Sequence, residues 1–222
     1  MNLILSKTIK AQFQSYWHIG TGRGAGQSVD ALIERDALGL PYVPGKTIKG
    51  LMRDIVYQAE GLGFFERYDY ASDFTLTDLI FGQRGNAETN DAPLEKFEIQ
   101  AGIIRVSSLQ LDYEHAQWLG SSAGKKYQPF LIRNLYTTKV EQTTGTAAQG
   151  SLRGQEVAIP MDLVGEIEFW VNPTDTVFVK AQAQLSKELL ELVLAVIQKG
   201  LTQIGANKTR GFGQAILTME VA

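Results

Sequence analysis

Apolar residues recur at helical spacing in three parts of the chain. After Pro44-Gly45 they fall at i, i+3, i+4, i+7 and i+8, which predicts a helix with one apolar face. The same spacing after Ser186, a residue suited to cap a helix N-terminus, predicts a helix over 187–201. A shorter apolar segment at 75–82 predicts a buried helix that ends at a glycine.

Strand-like segments surround these helices. Alternating or largely apolar residues predict strands at 8–17, 29–35, 97–111, 130–140, 151–157, 164–171 and 214–221. Their order with the helices matches β-α-β-β-α-β with insertions. We therefore predict an α+β fold, a ferredoxin-like (RRM-like) palm in one domain over 1–222, with insertions at about 83–96 and 120–155.

The second insertion has the pattern of a β-hairpin. Two strand-like arms flank a tip of small polar residues at 141–150. This pattern predicts a hairpin that projects from the palm. The alternative interpretation is a surface insertion without regular structure.

A glycine-rich loop and a basic helix face form the first candidate anion site. Glycine occupies every second position of Gly20–Gly26, and Arg23 lies among these glycines. Lys46, Lys49 and Arg53 follow at i, i+3 and i+7 of the predicted helix, on a stripe about 60° wide. Cations at a helix N-terminus favour anion binding. A solvated basic face is the alternative.

A second basic glycine-rich loop, 205–213, separates the last predicted helix from the last strand. Lys208 and Arg210 lie in it, and backbone N–H groups around Gly211 and Gly213 could bind phosphates. The residue order excludes a P-loop, in which Lys-Thr follows the second glycine. The first loop is not a dinucleotide-binding fingerprint, because strand-like residues follow it. We expect no nucleotide cofactor.

The order of these features resembles the RAMP superfamily of CRISPR effector proteins. The likeness rests on HIGTGRG, then Asp30 in VD, then RDALGLPYVPGKTIKGLMR. The chain departs at Lys46-Thr47-Ile48, where Ser-Ser-Leu is usual. Within the superfamily it is most similar to the repeated backbone subunit of type III complexes, whose last glycine-rich loop also resembles residues 205–213.

The resemblance implies a function and a set of site residues. The chain would bind CRISPR guide RNA, stack head-to-tail with copies of itself or related subunits, join other effector subunits and cleave target RNA. Asp30 matches the aspartate implicated in cleavage, where attack of a ribose 2′-OH on the adjacent phosphate could involve a divalent metal such as Mg²⁺. The hairpin would be a thumb that wedges into guide–target duplexes. The expected RNA-binding residues are Arg23, Lys46, Lys49, Arg53, Lys139, Arg153, Lys208, Arg210, Gly211 and Gly213.

Two other functions fit the same residues. A non-catalytic RAMP subunit would serve as an RNA-binding scaffold or a filament cap. A guide-processing endonuclease would use His18 as its catalytic group, although such enzymes usually carry two ferredoxin-like halves; otherwise His18 is structural. Paired-carboxylate chemistry is not indicated, because Asp30 and Glu34 would lie about 13 Å apart on a strand.

Composition narrows the function classes. Net charge is −3, so RNA binding requires a local cation cluster, because exposed charges more than about 8 Å apart are largely screened. The chain has no cysteine and two histidines, so we expect no zinc. No apolar run approaches the roughly 18 residues that cross a bilayer, which predicts no membrane contact and a cytoplasmic location.

Overall fold

The computed structural model describes residues 2–24, 29–68, 70, 73–83, 100–172 and 176–221. The insertion predicted at about 83–96 lies outside these residues apart from Gln83. The strands are β1 (Asn2–Phe13), β2 (Ile104–Val106), β3 (Ile132–Thr137), β4 (Arg153–Ala158), β5 (Asp162–Val171) and β6 (Ala215–Val221). The helices are α1 (Gly45–Gly61), α2 (Leu76–Phe81), α3 (Tyr113–Gly120), α4 (Val177–Ala183) and α5 (Lys187–Gly200). Short 3-10 helices occupy Lys125–Leu131 and Lys208–Arg210.

Four strands form an antiparallel sheet in the order β2-β5-β1-β6. With α1 after β1 and α5 after β5, this is the β-α-β-β-α-β arrangement of a ferredoxin-like palm. The predicted α+β fold is therefore confirmed. The extent of the single domain and the bounds of its insertions stay predictions.

One face of the sheet packs against the helices. Alternate residues of β1 and β5 point into this core, as their alternation predicts. The helices contribute the apolar faces predicted from their periodicity. Core residues that are fully buried include Ile9, Ala11, Leu163, Ile167, Phe169, Ile48, Met52, Val56, Leu190, Val193 and Ile197.

The predicted hairpin forms a separate two-stranded sheet. β3 and β4 pair antiparallel from Ile132↔Ala158 to Thr137↔Arg153. The turn segment between them, 138–152, is exposed along almost its whole length. The fold thus includes the predicted β-hairpin thumb on the palm.

The strand predicted at 29–35 is wrong in detail. The segment is extended, but Ala31, Ile33 and Arg35 form only isolated bridges. Their partners lie in three separate parts of the chain, at residues 155, 20 and 41. Because no single strand runs beside it, the segment cannot form a ladder.

Two helices escaped prediction although both carry capping residues. The Asp112 carboxylate accepts from the His115 N–H and caps α3, and the Thr176 hydroxyl accepts from the Val179 N–H and caps α4. Of the segment 120–126, predicted as loop, residues 121–124 are turn and bend, while Gly120 ends α3 and Lys125 begins the first 3-10 helix. No helix among the described residues is long and apolar enough to cross a membrane.

Arg53 ties α1 to α2. Its Nη2 donates to Asp78 Oδ1 at 2.8 Å and its Nη1 donates to the Gly82 carbonyl at 2.6 Å. Only 14% of the side chain is exposed. Both terminal nitrogens of the guanidinium are therefore occupied by hydrogen bonds that join α1 to α2.

We expect Arg53→Ala to lower the free energy of unfolding by about 2 kcal/mol or more, because it leaves a partly buried carboxylate and a carbonyl without their donor. Lys46→Ala, on the exposed side of α1, is the matched control and should stay within about 0.5 kcal/mol. Urea denaturation measures both. Equal stabilities for the two variants would contradict this structural role.

Candidate nucleic-acid interface

The centre of the site is the outer edge of β4, the edge that faces away from β3. There the backbone N–H and carbonyl of Gly154 each form a hydrogen bond with Asp30. The Asp30 N–H donates to the Gly154 carbonyl at 2.8 Å, and the Gly154 N–H donates to Asp30 Oδ2 at 2.7 Å. The Asp30 side chain remains about half exposed, at 49%. Asp30 is thus both fixed in place and open to a ligand.

Arg153 connects Asp30 to a basic cleft. Its Nη1 lies 4.0 Å from Asp30 Oδ1, and its side chain is largely exposed. Arg153 also lines a cleft of about 560 Å³ with Lys139, Arg210 and small hydroxyl residues. None of the described residues that line this cleft is acidic. Three of the predicted RNA-binding cations therefore meet in one place.

The C-terminal glycine-rich loop is fastened to β4 through Asn207. Asn207 adopts the left-handed conformation, with φ 59°, and its Nδ2 donates to Gln155 Oε1 at 3.0 Å. Because Gln155 follows Gly154, the strand that binds Asp30 also positions this loop. Lys208 and Arg210 are exposed on it.

The predicted cradle of free backbone N–H groups in this loop is wrong. The N–H groups of residues 210–212 donate to carbonyls within the loop at 2.9 to 3.4 Å. The Gly213 N–H donates to the Tyr16 carbonyl at 2.8 Å, and Gly213 is buried. Gly211 and Gly213 therefore shape the loop, and the side chains of Lys208 and Arg210 are the groups it offers to an anion.

Arg23 lies on the first glycine-rich loop beside the segment that contains Asp30. Its carbonyl accepts from the Leu32 N–H at 3.0 Å, and its side chain is exposed. It lines a cleft of about 600 Å³ together with Arg35 and Glu156. Both glycine-rich loops therefore lie next to β4.

His18 is part of the packing under this surface. Its Nδ1 lies 2.6 Å from the Glu156 carbonyl, so Nδ1 carries the proton and donates. The ring is 6% exposed, and a Cβ on Gly20 would lie 2.9 Å from Nε2. A buried ring covered by backbone favours the structural interpretation over a catalytic one.

The basic stripe predicted on α1 is not a free anion site. Arg53 is bound to α2, and Lys49 Nζ donates to the Ile104 carbonyl at 3.1 Å. Burial, followed by the positive charge of Arg53, lowers the pKa of Lys49 below its ordinary value. Only Lys46 is exposed as predicted. The predicted contacts of Arg53 and Lys49 with RNA would therefore have to compete with these contacts inside the palm.

The sheet face opposite the helices is predominantly acidic. β5 and β6 place Asp162, Glu166, Glu168 and Glu220 there, against Lys10 and Arg105. A hydrogen bond to Asp162, at 2.7 Å, and the charge of that carboxylate raise the pKa of Lys10. RRM domains bind RNA on this face through exposed aromatic residues. Here Trp170, the aromatic residue that the described strands place there, stacks with Arg105 and donates to Glu168.

The donors around Asp30 fit a metal only together with RNA. The described residues contain no group of three histidine, cysteine or carboxylate side chains that could hold an ion. Mg²⁺ is commonly bound by one or two carboxylates, with phosphates and water completing its shell. Asp30 could supply one such carboxylate, and phosphate the rest.

Sequence comparison places the chain in a family. The sequence model of the RAMP superfamily matches residues 10–216. The chain belongs to the RAMP superfamily. No curated protein sequence matches this RAMP chain.

Solved structures show the same fold. The RAMP chain superposes with a TM-score of 0.65 and 10% identity on a chain from the cryo-EM structure of the type III-B Cmr-beta complex bound to cognate target RNA, covering 98% of both chains. A chain from the apo state of Cmr-beta gives a TM-score of 0.61 and 9% identity, covering 97% of both. At these identities the similarity establishes the fold alone.

Several residues that build this RAMP site were missed from the sequence. Gly154 binds Asp30, and Gln155 binds Asn207. The Glu156 carboxylate accepts from Arg35 Nη2 at 2.8 Å and from the Ile33 N–H at 3.1 Å. A glycine and a glutamine within a polar strand carry no signal for such roles. Asn207 did carry one, since asparagine tolerates the left-handed conformation better than most residues.

The two glycines that were predicted alike should differ in a stability measurement. Both have positive φ, but a Cβ on Gly213 would lie 2.0 Å from the Ile204 carbonyl oxygen, whereas a Cβ on Gly211 meets nothing within 4 Å. We expect Gly211→Ala to cost about 1–2 kcal/mol and Gly213→Ala about 3 kcal/mol or more. Thermal unfolding measures both, and equal losses would contradict the described loop.

Proposed function

We propose that this chain is an RNA-binding subunit of a type III CRISPR effector complex and that guide RNA passes through the cleft beside Asp30. The observation that carries the proposal is the convergence of Lys139, Arg153 and Arg210, which three segments bring together without an acidic neighbour in the described lining. Phosphate contacts of this kind supply most of the sequence-independent affinity for nucleic acid. The RAMP family and the fold shared with Cmr-beta chains support this role.

We further propose that Asp30 takes part in cleavage of target RNA. A nucleotide of target RNA lying beside the guide in the cleft would bring its phosphate to Arg153 and its ribose to the half-exposed Asp30 carboxylate. Asp30 would accept the proton of the 2′-OH or orient that hydroxyl for attack on the adjacent phosphate. The new O2′–P bond would replace the P–O5′ bond, giving a 2′,3′-cyclic phosphate, and the departing 5′ oxygen would take a proton from water. Arg153 would stabilise the charge that develops on the phosphate oxygens. A divalent ion brought with the RNA would supply additional polarisation of the phosphate.

The non-catalytic alternative has its own supporting observation. The Asp30 side chain accepts from the Gly154 N–H and so holds the segment after the first glycine-rich loop against the hairpin, which is a structural reason for an aspartate there. In that case the chain is a scaffold that binds RNA without cutting it. The other proposed partners, further effector subunits and head-to-tail copies, are the same under both functions.

Binding through the cleft predicts a change in salt dependence. Lys139→Ala with Arg210→Ala should weaken binding of single-stranded RNA of any sequence and lower the slope of log K against log salt by roughly 1.4, at about 0.7 per lost phosphate contact. The control is Lys187→Ala with Lys199→Ala, which removes the same charge from the exposed side of α5. Equal slopes for the two double variants would place the RNA elsewhere.

Asp30→Asn and Asp30→Ala separate the two roles of Asp30. An asparagine can still accept from the Gly154 N–H, so Asp30→Asn should keep the fold and RNA affinity within a few-fold. If Asp30 acts in proton transfer, cleavage of guide-matched RNA by the assembled complex should fall about 100-fold or more.

The opposite results would support the non-catalytic scaffold. If the parent complex does not cut, or if Asp30→Asn cuts as fast as the parent, the catalytic role is refuted. A scaffold role predicts that only Asp30→Ala changes behaviour, through lower stability. Chelation of divalent ions in the loaded complex should reproduce the loss in Asp30→Asn if RNA brings a metal.

A further inference from the structure

A second basic cleft lies at the other end of the hairpin from Arg153. It has a volume of about 650 Å³ and is lined by Arg35, Lys125 and Arg133, with Gln128 and Glu156 among its other walls. Arg35 is bound to Glu156, whereas the side chains of Lys125 and Arg133 are exposed and have no hydrogen-bond or ion-pair partner among the described residues. Two cations are therefore available to an anionic ligand.

Two exposed aromatic rings lie on or next to the chain segment that lines this cleft, although neither ring is part of the lining itself. Trp118 and Tyr127 stack with their centroids 5.4 Å apart and an interplanar angle of 21°, and Lys126 Nζ lies 5.1 Å from the Tyr127 centroid. Trp118 is 50% exposed and Tyr127 44%. Tyr127 lies in the chain between Lys125 and Gln128, which line the cleft, and Trp118 on α3 stacks against Tyr127.

The aromatic segment is held in place before any ligand arrives. Gln128 Nε2 donates to the Leu119 carbonyl at 2.9 Å and to the Leu38 carbonyl at 3.2 Å. Gly124 packs so tightly on α3 that a Cβ there would lie 2.0 Å from the Trp118 carbonyl oxygen. A fixed platform loses little entropy when a planar group stacks on it.

We infer that this surface, Trp118 with Tyr127 and the cleft at Lys125 and Arg133, is a second binding site for single-stranded RNA. The cations would bind phosphates and Trp118 would stack a base, the combination that proteins use for single strands. Arg35 also lines the cleft that contains Arg23, so the second site continues toward the first glycine-rich loop. Tryptophan, tyrosine and arginine are also enriched in protein–protein interfaces, so a protein occupant is one of the outcomes that the tests below distinguish. This inference rests on the proposed RNA-binding function.

The first test compares RNA lengths. The full chain is titrated with oligoadenylate of about 6 and about 20 nucleotides, lengths that bracket one binding site and more than one. The parent should bind the longer RNA about tenfold or more tightly than the shorter, and Lys125→Ala with Arg133→Ala should lose most of that gain while still binding the shorter. Lys187→Ala with Lys199→Ala is again the control for charge.

The second test reads the aromatic platform directly. Stacking of adenine on Trp118 should quench tryptophan emission, and Trp118→Phe should remove that quenching with little change in affinity. Quenching that persists in Trp118→Phe, or long-RNA affinity unchanged in the Lys125 and Arg133 double variant, would overturn the second site while leaving the proposed function intact.

Two further outcomes also decide the matter. If these variants alter self-association in sedimentation and leave RNA binding unchanged, the surface belongs to a protein interface and the inference is refuted. If the parent binds neither RNA length, both the inference and the proposed function fail.

Discussion

The candidate site depends on the hydrogen bonds that the backbone groups on the outer edge of β4 form. The N–H and carbonyl groups of residues 154, 156 and 158 point away from β3. A strand edge without hydrogen-bond partners lowers stability when it is buried and favours pairing with other chains when it is exposed. Trp17 pairs with Ala158, the His18 ring and the Ala31 carbonyl bind Glu156, and Asp30 binds Gly154. The same hydrogen bonds that close the edge bring the first glycine-rich loop against the hairpin.

This arrangement separates charges on a chain whose net charge is −3. Acidic residues gather on the sheet face that RRM domains use for RNA, while Arg153 and Arg210 meet in the cleft between the hairpin and the C-terminal loop. Since exposed charges more than about 8 Å apart are largely screened at physiological salt, a local cluster of cations can bind a polyanion on a chain of negative net charge. RNA is therefore expected at the thumb and loops rather than on the sheet.

The sequence could predict the structural features that depend on residues close together in the chain. The periodicity of α1 and α5 and the cap at Ser186 are local, and the structure has them nearly where predicted. The role of Arg53 was not local, because its carboxylate partner lies 25 residues away and only the fold brings them together.

The residues of the candidate site divide in the same way, into features that are local in the sequence and contacts that only the fold creates. Asp30, Arg153 and Arg210 were found by type and by family resemblance, but their proximity depends on Gly154, which is 124 residues from Asp30. Gly211 and Gly213 look equivalent in the sequence and differ only in what surrounds them.

The most direct test of this account is photochemical crosslinking of bound single-stranded RNA to the chain, with the crosslinked peptides identified by mass spectrometry. The account predicts crosslinks within 137–156 and 207–212, the segments that line the cleft beside Asp30. Crosslinks confined to the exposed face of β1, β5 and β6 would contradict it, because RNA would then lie on the acidic sheet as it does in an RRM.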